Sequence, residues 1–372
     1  DDDRISEINM YEYLDIDNED LIPVEDIIVT VTNNGYIKRM PVDEYKLQNR
    51  SGVGMSGVKL HEDDYVEHIA MTSTHDFHLF FTNFGRVFKI KGYALPSGSR
   101  QSKGVPIVNY LNFLEGEKLA SFTAVKNFDE ENHYLFFVTK KGIVKRTHIS
   151  SYQNIRSNGI IALSLREGDE LITVKSTDGN KQIILGASNG KAIRFAETDA
   201  REIGRTATGV RGMSLADSES IVGVAVVYGQ NEDILVITEK GYGKRTNVEE
   251  YRLQQRGGKG VKTLNVTEKN GNLATLRSVT DDEDLIVATD KGITIRLAIN
   301  QISQTRRATQ GVRIILLKND QKVATVAVVP HQDDVEEEVV PGPEMTQEQM
   351  SLENAAKRIE AVELSVDDTV EE

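Results

Sequence analysis

One pattern recurs six times along this chain: an apolar run, a turn glycine, and a basic residue four positions later. The glycines are Gly35, Gly85, Gly142, Gly190, Gly241 and Gly292, spaced 50, 57, 48, 51 and 51 residues apart. Position +4 holds Arg39, Lys89, Arg146, Arg194, Arg245 and Arg296. Position −3 is Thr32, Thr82, Thr139, Thr238 and Thr289, with Ala187 the one departure. A fixed period near fifty residues means one supersecondary unit arrayed repeatedly. A cation at the same place in every unit couples that array to a polyanion.

Each glycine sits between two strand-like runs rich in Val, Ile, Tyr, Phe and Thr, such as Tyr134–Thr139 and Ile143–Thr147. Asn33-Asn34-Gly35 and Ser188-Asn189-Gly190 supply residues that tolerate positive φ in tight hairpins. Further apolar runs lie at Leu119–Val125, Leu171–Val174 and Ile221–Val227. Three to four strands per unit is the arithmetic of a propeller-type blade. The expected fold is therefore all-β: a closed six-bladed array of four-stranded blades over residues 21–330. The apolar runs bury against neighbouring blades and the glycines permit the hairpins. Packing alone accepts Thr or Val at position +4, so a cation in all six units implies a shared task.

The formal net charge of −14 hides this basic region. Residues 1–20 carry nine acids and one arginine, and residues 331–372 carry fourteen acids and two bases. What remains for residues 21–330 is a net +6. The expected organisation is an acidic connector (1–20), a basic repeat domain (21–330) and an acidic tail (331–372). Acidic ends are often mere solvated tails; flanking a basic array, they are also candidates for masking it. The chain has no cysteine, which removes disulfides and thiolate metal sites. No run of 18 apolar residues suggests a membrane span, and DDDRISEINM has no signal-peptide character.

A second element follows each turn glycine by about fifteen positions. It reads Arg50-Ser-Gly-Val-Gly54, Arg100-Gln-Ser-Lys-Gly104, Arg156-Ser-Asn-Gly159, Arg205-Thr-Ala-Thr-Gly209, Arg256-Gly-Gly-Lys-Gly260 and Arg307-Ala-Thr-Gln-Gly311. Glycine lets backbone N–H groups approach phosphate closely, and the cations neutralise its charge. No Walker-type nucleotide loop occurs. Six such loops on one array imply a long polymer. Few aromatics interleave them, so duplex phosphates fit better than stacked single-strand bases, and binding is expected to be largely independent of sequence. The candidate rim contacts are Lys38, Arg39, Lys89, Arg100, Lys103, Lys145, Arg146, Arg156, Arg194, Arg205, Arg211, Lys244, Arg245, Lys262, Arg296, Arg307 and Arg313.

Gln254-Gln-Arg-Gly-Gly-Lys-Gly260 resembles the gyrase A box, Gln-Arg-Arg-Gly-Gly-Lys-Gly, differing at Gln255. The corresponding first-blade stretch keeps Gln48, Arg50, Gly52 and Gly54 and departs at Asn49, Ser51 and Val53. Ser73-Thr-His-Asp76, Gly204-Arg-Thr-Ala-Thr-Gly209 and Thr238–Thr246 are similar to the same family. The resemblance, over about residues 14–330, is to the C-terminal domains of the gyrase A proteins. It implies a six-bladed β-pinwheel that wraps duplex DNA around a basic rim, so that the holoenzyme introduces negative supercoils with ATP. It implies box contacts at Gln48, Arg50, Gly52 and Gly54 in the first blade, and at Gln254, Arg256, Gly257, Gly258, Lys259 and Gly260 in the fifth. It also implies a bacterial cytoplasmic, nucleoid-associated setting. The implied partners are the rest of the gyrase A protein and the gyrase B protein, in an A2B2 assembly.

In that family the ATP site and the cleavage tyrosine lie outside this region. The chain is accordingly expected to be a non-catalytic fragment with no cofactor and no metal, residues 1–19 resembling a connector. The altered first box keeps open a second reading, the C-terminal domain of the topoisomerase IV counterpart of gyrase A, with weak wrapping. A third reading, a protein-interaction propeller of the WD40 or kelch kind, lacks the Trp-Asp signature and leaves the six cations unexplained.

Overall fold

The runs flanking each turn glycine form an antiparallel hairpin, and a third strand returns beside its first arm. In the first unit these are β1 (Asp26–Thr32), β2 (Tyr36–Pro41) and β3 (Val66–Ser73), in the order β3-β1-β2. The second unit contains β4 (Phe77–Thr82), β5 (Arg86–Lys91) and β7 (Leu119–Val125), and the third β8 (Tyr134–Thr139), β9 (Ile143–His148) and β11 (Leu171–Thr177). The fourth has β12 (Gln182–Ala187), β13 (Lys191–Ala196) and β15 (Ile221–Val227). The fifth has β16 (Asp233–Thr238), β17 (Tyr242–Asn247) and β19 (Leu273–Val279), and the sixth β20 (Glu283–Thr289), β21 (Thr294–Ala298) and β23 (Val323–Pro330). This computed structural model describes residues 18–32, 34–42, 66–99, 102–229, 232–290, 294–317 and 321–330. All of them fall in one compact unit.

The hairpin turn is the same object each time. Gly35, Gly85, Gly142, Gly190 and Gly241 have φ of 77, 75, 78, 77 and 77°, a region only glycine enters freely. The threonine at −3 closes the turn. Its carbonyl accepts the glycine N–H, and its hydroxyl accepts the following N–H, as in Tyr36 N–H to Thr32 Oγ1 (3.1 Å) and Tyr242 N–H to Thr238 Oγ1 (3.2 Å). Where Ala187 replaces threonine, Asn189 Oδ1 accepts the Lys191 N–H at 3.0 Å instead.

The fourth strand of a blade comes from the next unit. After Gly104 the chain forms β6 (Val105–Pro106), which pairs with β2 of the first blade. β10 (Ile160–Ile161), β14 (Val210–Arg211), β18 (Val261–Lys262) and β22 (Val312–Arg313) likewise complete the second to fifth blades, on β5, β9, β13 and β17. The described residues thus give five four-stranded sheets and one three-stranded sheet, β21-β20-β23. The box-like stretch read from sequence as belonging to the fifth blade therefore delivers its strand to the edge of the fourth.

The core lies between blades. Leu79 and Phe81 pack towards the third blade's Leu135 and Phe137, while Phe80 between them packs towards the first blade's Ile27, Val29 and Val31. Alternate strand residues face opposite sides. A strand buried on both faces reads as a continuous apolar run, as Leu79-Phe-Phe81 does. The returning strands form the innermost layer, where β3, β7, β11, β15, β19 and β23 touch in succession and β23 meets β3, closing the six-bladed ring.

The glycine ending the Arg-x3-Gly elements at Gly104, Gly209, Gly260 and Gly311 is dictated by strand donation. Gly260 has φ +73, and a Cβ there would lie 2.4 Å from the Ala192 carbonyl oxygen of the receiving strand. Gly258, two residues earlier, is not in the left-handed region, and its Cβ would find its nearest neighbour at 3.4 Å. Gly260→Ala is expected to cost about 2 kcal/mol or more, by left-handed strain plus a backbone clash, and Gly258→Ala under about 0.5 kcal/mol, as at a surface site. Chemical denaturation of the two variants checks this; equal losses would remove the donated strand as the reason for the glycine.

Candidate nucleic-acid interface

Five of the +4 cations bond to the next unit of the ring or lie against it. Arg39, Arg146, Arg194 and Arg245 sit where the next unit's linker docks on the strand. The Arg39 N–H donates to the Pro96 carbonyl at 2.8 Å and the Gly98 N–H returns to the Arg39 carbonyl at 3.0 Å; Arg194 and Gln254, and Arg245 with Ser303 and Thr305, repeat parts of the pattern. The side chain then reaches the short 3-10 turn preceding that linker. Arg39 Nε donates to the Leu95 carbonyl (2.9 Å), and Lys89 Nζ to that of Gln153 (2.5 Å). Arg194 Nη1 donates to the Val248 and Tyr251 carbonyls (2.8 and 3.0 Å), and Arg245 Nε to that of Ile302 (2.8 Å).

Acids complete these sites. Arg245 Nη1 meets Asp233 (3.3 Å) and Asp281, and Arg146 lies over the Tyr134 ring, 4.0 Å from Glu197. Arg194 and Arg245 are only 9% and 8% exposed. The expectation that packing accepts Thr or Val at +4 is thereby corrected: valine has no side-chain donor, and threonine has a single short one, where Arg194 reaches two carbonyls of the next unit at once. Arg296, in the last unit, is exposed and pairs with Asp284 alone among the described residues.

Position +3 tells the same story in three units. Lys38 Nζ donates to the Ser99 and Ser102 carbonyls (3.1 and 2.8 Å), and Lys145 Nζ to those of Ala162 and Arg205. Lys244 Nζ donates to the Arg306 and Arg307 carbonyls, 2.5 Å each, and to Thr309 Oγ1. These three lysines are the pegs on which the glycine-containing loops hang. Burial lowers Lys145 to about 7 and Lys244 to about 8, with Arg205 and Arg307 adding repulsion.

The loops are what remains facing outward, and they are linked. Ser164 Oγ donates to the Thr206 carbonyl at 2.6 Å. Arg256 Nη1 donates to the Arg211 carbonyl at 3.0 Å, and the Gly257 N–H to that of Gly212 at 2.6 Å. Arg307 Nη1 donates to the Lys262 carbonyl at 3.1 Å, and the Asn265 N–H to that of Thr309 at 3.0 Å. A continuous track therefore runs from the third unit's loop to the sixth. The second residue of each donated strand lies on its outer edge, as Pro106, Ile161, Arg211, Lys262 and Arg313. Among the described donated strands, the cations occupy the edges of the third, fourth and fifth blades.

Arg156, Arg211, Lys259, Lys262, Arg306 and Arg313 are exposed on this track; Lys103, Arg205, Arg256 and Arg307 are half-buried. Arg313 Nη2 donates to the Tyr242 hydroxyl at 3.0 Å and Lys103 lies 3.9 Å over the Tyr36 ring. Lys191 pairs in register with Lys262, adding a cation that the sequence reading missed; its position just after the turn glycine was the available signal. Gln48, Arg50, Gly52, Gly54, Arg100, Gly292, residues 1–17 and the tail from 331 lie outside the described residues. Among the described residues no helix is long and apolar enough to cross a membrane.

The fold and its edges define a closed six-bladed β-propeller in which, among the described residues, each repeat from the second to the sixth completes its predecessor. A family model described as the DNA gyrase C-terminal domain, beta-propeller, matches residues 26–73, 78–126, 133–178, 181–227, 232–280 and 283–330, one segment per blade, and the chain belongs to that family. It is 48% identical to the DNA gyrase A protein of Staphylococcus aureus (strain MRSA252) over 338 residues, 91% of this chain and 38% of that protein. With the Staphylococcus epidermidis gyrase A protein it shares 48% over 334 residues, 90% and 37% of the two. The chain thus spans under two-fifths of these relatives. A crystal structure of the C-terminal domain of DNA topoisomerase IV superposes with a TM-score of 0.72 at 26% identity, over 83% of this chain and 94% of that one. A DNA gyrase A C-terminal domain gives 0.67 at 24%, over 82% and 100%. The fold is common to both enzymes; the sequence kinship above is to gyrase A proteins.

Because the folded state holds Lys145 and Lys244 at lowered values, unfolding between about pH 7 and pH 10 takes up protons. The burial penalty is full below the folded value and fades as pH rises towards the ordinary lysine range, so stability gains with pH there. Lys145→Met should flatten that rise relative to the parent in thermal melts across pH 6.5–10. An unchanged pH slope would mean that Lys145 is not held in this way.

Proposed function

We propose that this domain binds and wraps duplex DNA along the linked loop track, largely independently of base sequence, within a gyrase holoenzyme that uses ATP to introduce negative supercoils. One observation carries the reading: exposed cations stand on three consecutive outer edges joined by loop-to-loop hydrogen bonds. We assign phosphate contact to Arg156, Arg211, Lys259, Lys262, Arg306 and Arg313, and to the half-buried box arginines Arg205, Arg256 and Arg307. We assign the enclosed Lys38, Lys145, Arg194, Lys244 and Arg245 to holding the blades together. DNA on such an edge must bend, and its deformability then sets what preference exists. The remainder of the gyrase A protein and the gyrase B protein are the proposed partners, in the bacterial cytoplasm at the nucleoid. The proposed role of the acidic tail is to compete with phosphate for the track, which deleting residues 333–372 tests by raising affinity at moderate salt.

Affinity for a duplex of about 100 base pairs is expected to fall steeply with salt, with each phosphate contact contributing about 0.9 to the slope of log affinity against log salt. Lys262→Ala should reduce that slope by roughly 1 and leave thermal stability unchanged. Arg245→Ala should do the reverse, lowering the melting temperature while the folded fraction keeps the full slope. A salt-insensitive interaction, or an Arg245 variant that loses slope without losing stability, would sink the assignment. Ligation of nicked plasmid with the domain bound tests wrapping separately. Positively supercoiled products support it; binding with no change in linking number points to the weakly wrapping topoisomerase IV behaviour.

A further inference from the structure

A second basic zone lies at the centre of the ring, away from the loop track. The six innermost strands surround a channel of about 590 Å³. Its lining is short and neutral almost throughout: Ala, Val, Ile, Ser and Thr side chains, with Leu276 and Phe122. The exceptions are His68, Lys175 and Arg277, all basic, and no Asp or Glu lines the channel among the described residues.

Register places these three with some regularity. Lys175 pairs with Phe136 and Arg277 with Leu235, the sixth position before the turn glycine in each unit. The other inner strands carry Ala70, Thr123, Ala225 and Ala327 at that level. His68 is two residues from Ala70, hence on the same face of β3. The basic residues therefore come from the first, third and fifth blades, alternating with blades that contribute none. Their charges reach one another across the channel. Burial, then Arg277, lowers Lys175 to about 8, and burial, then Arg277 and Lys175, lowers His68 to about 4.

Lys175 has no hydrogen-bond or acidic partner among the described residues, in contrast to Lys38, Lys145 and Lys244, which donate to two carbonyls each. His68 Nε2 has neither solvent contact nor a hydrogen-bond partner, and its ring meets the edge of Phe122 at 5.9 Å. A lysine inside a β-core with no partner costs free energy that an apolar residue of similar length does not. An inner strand that needed only packing accepts Ala or Thr at this level, as four of the six show. A polyvalent anion in the channel supplies Lys175 and His68 with the partner they lack and offsets the repulsion that Arg277 adds.

We propose that the central channel binds one small polyvalent oxyanion of phosphate chemistry, held by the Lys175 ammonium and Arg277 guanidinium with His68 as a further donor. The site is independent of the loop track, because its residues lie on the innermost strands and those of the track on the outermost.

The probe is pyrophosphate, added to the whole chain at constant ionic strength with chloride as the control. Calorimetric titration is expected to give one site per chain, with a melting temperature that rises with pyrophosphate concentration. Lys175→Met should melt higher than the parent without the anion, and Lys175→Met with Arg277→Met should lose the pyrophosphate increment, with at least a tenfold loss of affinity. Lys259→Ala with Lys262→Ala and Arg313→Ala, on the loop track, should keep it. In the parent itself, the His68 ring resonances should move on titration and its midpoint rise by about one pH unit or more. No pyrophosphate increment in the parent, an increment that survives the channel variant or vanishes in the loop-track variant, or an unmoved His68 resonance would each overturn the site.

Discussion

Everything in this ring depends on one exchange: among the described residues, each repeat from the second to the sixth gives its predecessor an outer strand. That strand is only two residues long, too short to hold by ladder hydrogen bonds alone, so its neighbours do the holding. The hairpin-turn carbonyl of the receiving blade accepts two consecutive N–H groups just beyond the donated strand, as Gly85 does from Ala162 and Leu163 and Gly241 from Ile314 and Ile315. The +4 cation ties down the linker before the loop, and the +3 lysine, where present, ties down the loop itself. The positive-φ glycine allows the close approach. Removing any of these frees a strand of the adjacent blade, so the effect of a change in one repeat is felt in the one before it.

The fold was legible in the sequence because its causes are local and periodic. Hairpins need a turn glycine and apolar arms, and both recur on a period near fifty residues. The exchange between units was not legible. A strand of two residues has no periodicity of its own, and Val261-Lys262 pairs with a partner about seventy residues away in sequence, at Lys191-Ala192. The cations were misleading for a related reason. A charge repeated because every unit must dock the next looks, in one dimension, like a charge repeated because every unit meets the same polymer. The two are told apart by what surrounds the side chain: Arg245 is walled by the carbonyl of Ile302 and two aspartates, whereas Arg211 and Lys262 are exposed.

The discriminating sign was present in the sequence all the same, in its variation rather than its constancy. Position +4 is basic in all six units, and in the first five its side chain bonds to or lies against the next unit. The second residue of the donated strand runs Pro106, Ile161, Arg211, Lys262, Arg313, since an outer edge exposed to solvent imposes no packing demand on it. Freedom from structural constraint is what lets a position be set by a ligand.

This separation of tasks has an electrostatic consequence. An arginine paired with aspartates, as Arg245 is, projects less field outwards than an unpaired one, and for Lys145 burial draws the charge itself towards neutrality. The net positive charge of the repeat region therefore overstates what a polyanion would meet across most of the ring and understates how unevenly it is distributed. On the first two blades the donated edge ends in Pro106 and Ile161, the latter 52% exposed, and Arg86 beside it is paired with the buried Glu117 at 2.7 Å. On the next three blades the same edge carries Arg211, Lys262 and Arg313, none of them ion-paired to an acid among the described residues. A polyanion lying along the rim would feel a potential that grows along the ring, and a one-sided attraction of that kind bends a stiff polymer towards the charged arc.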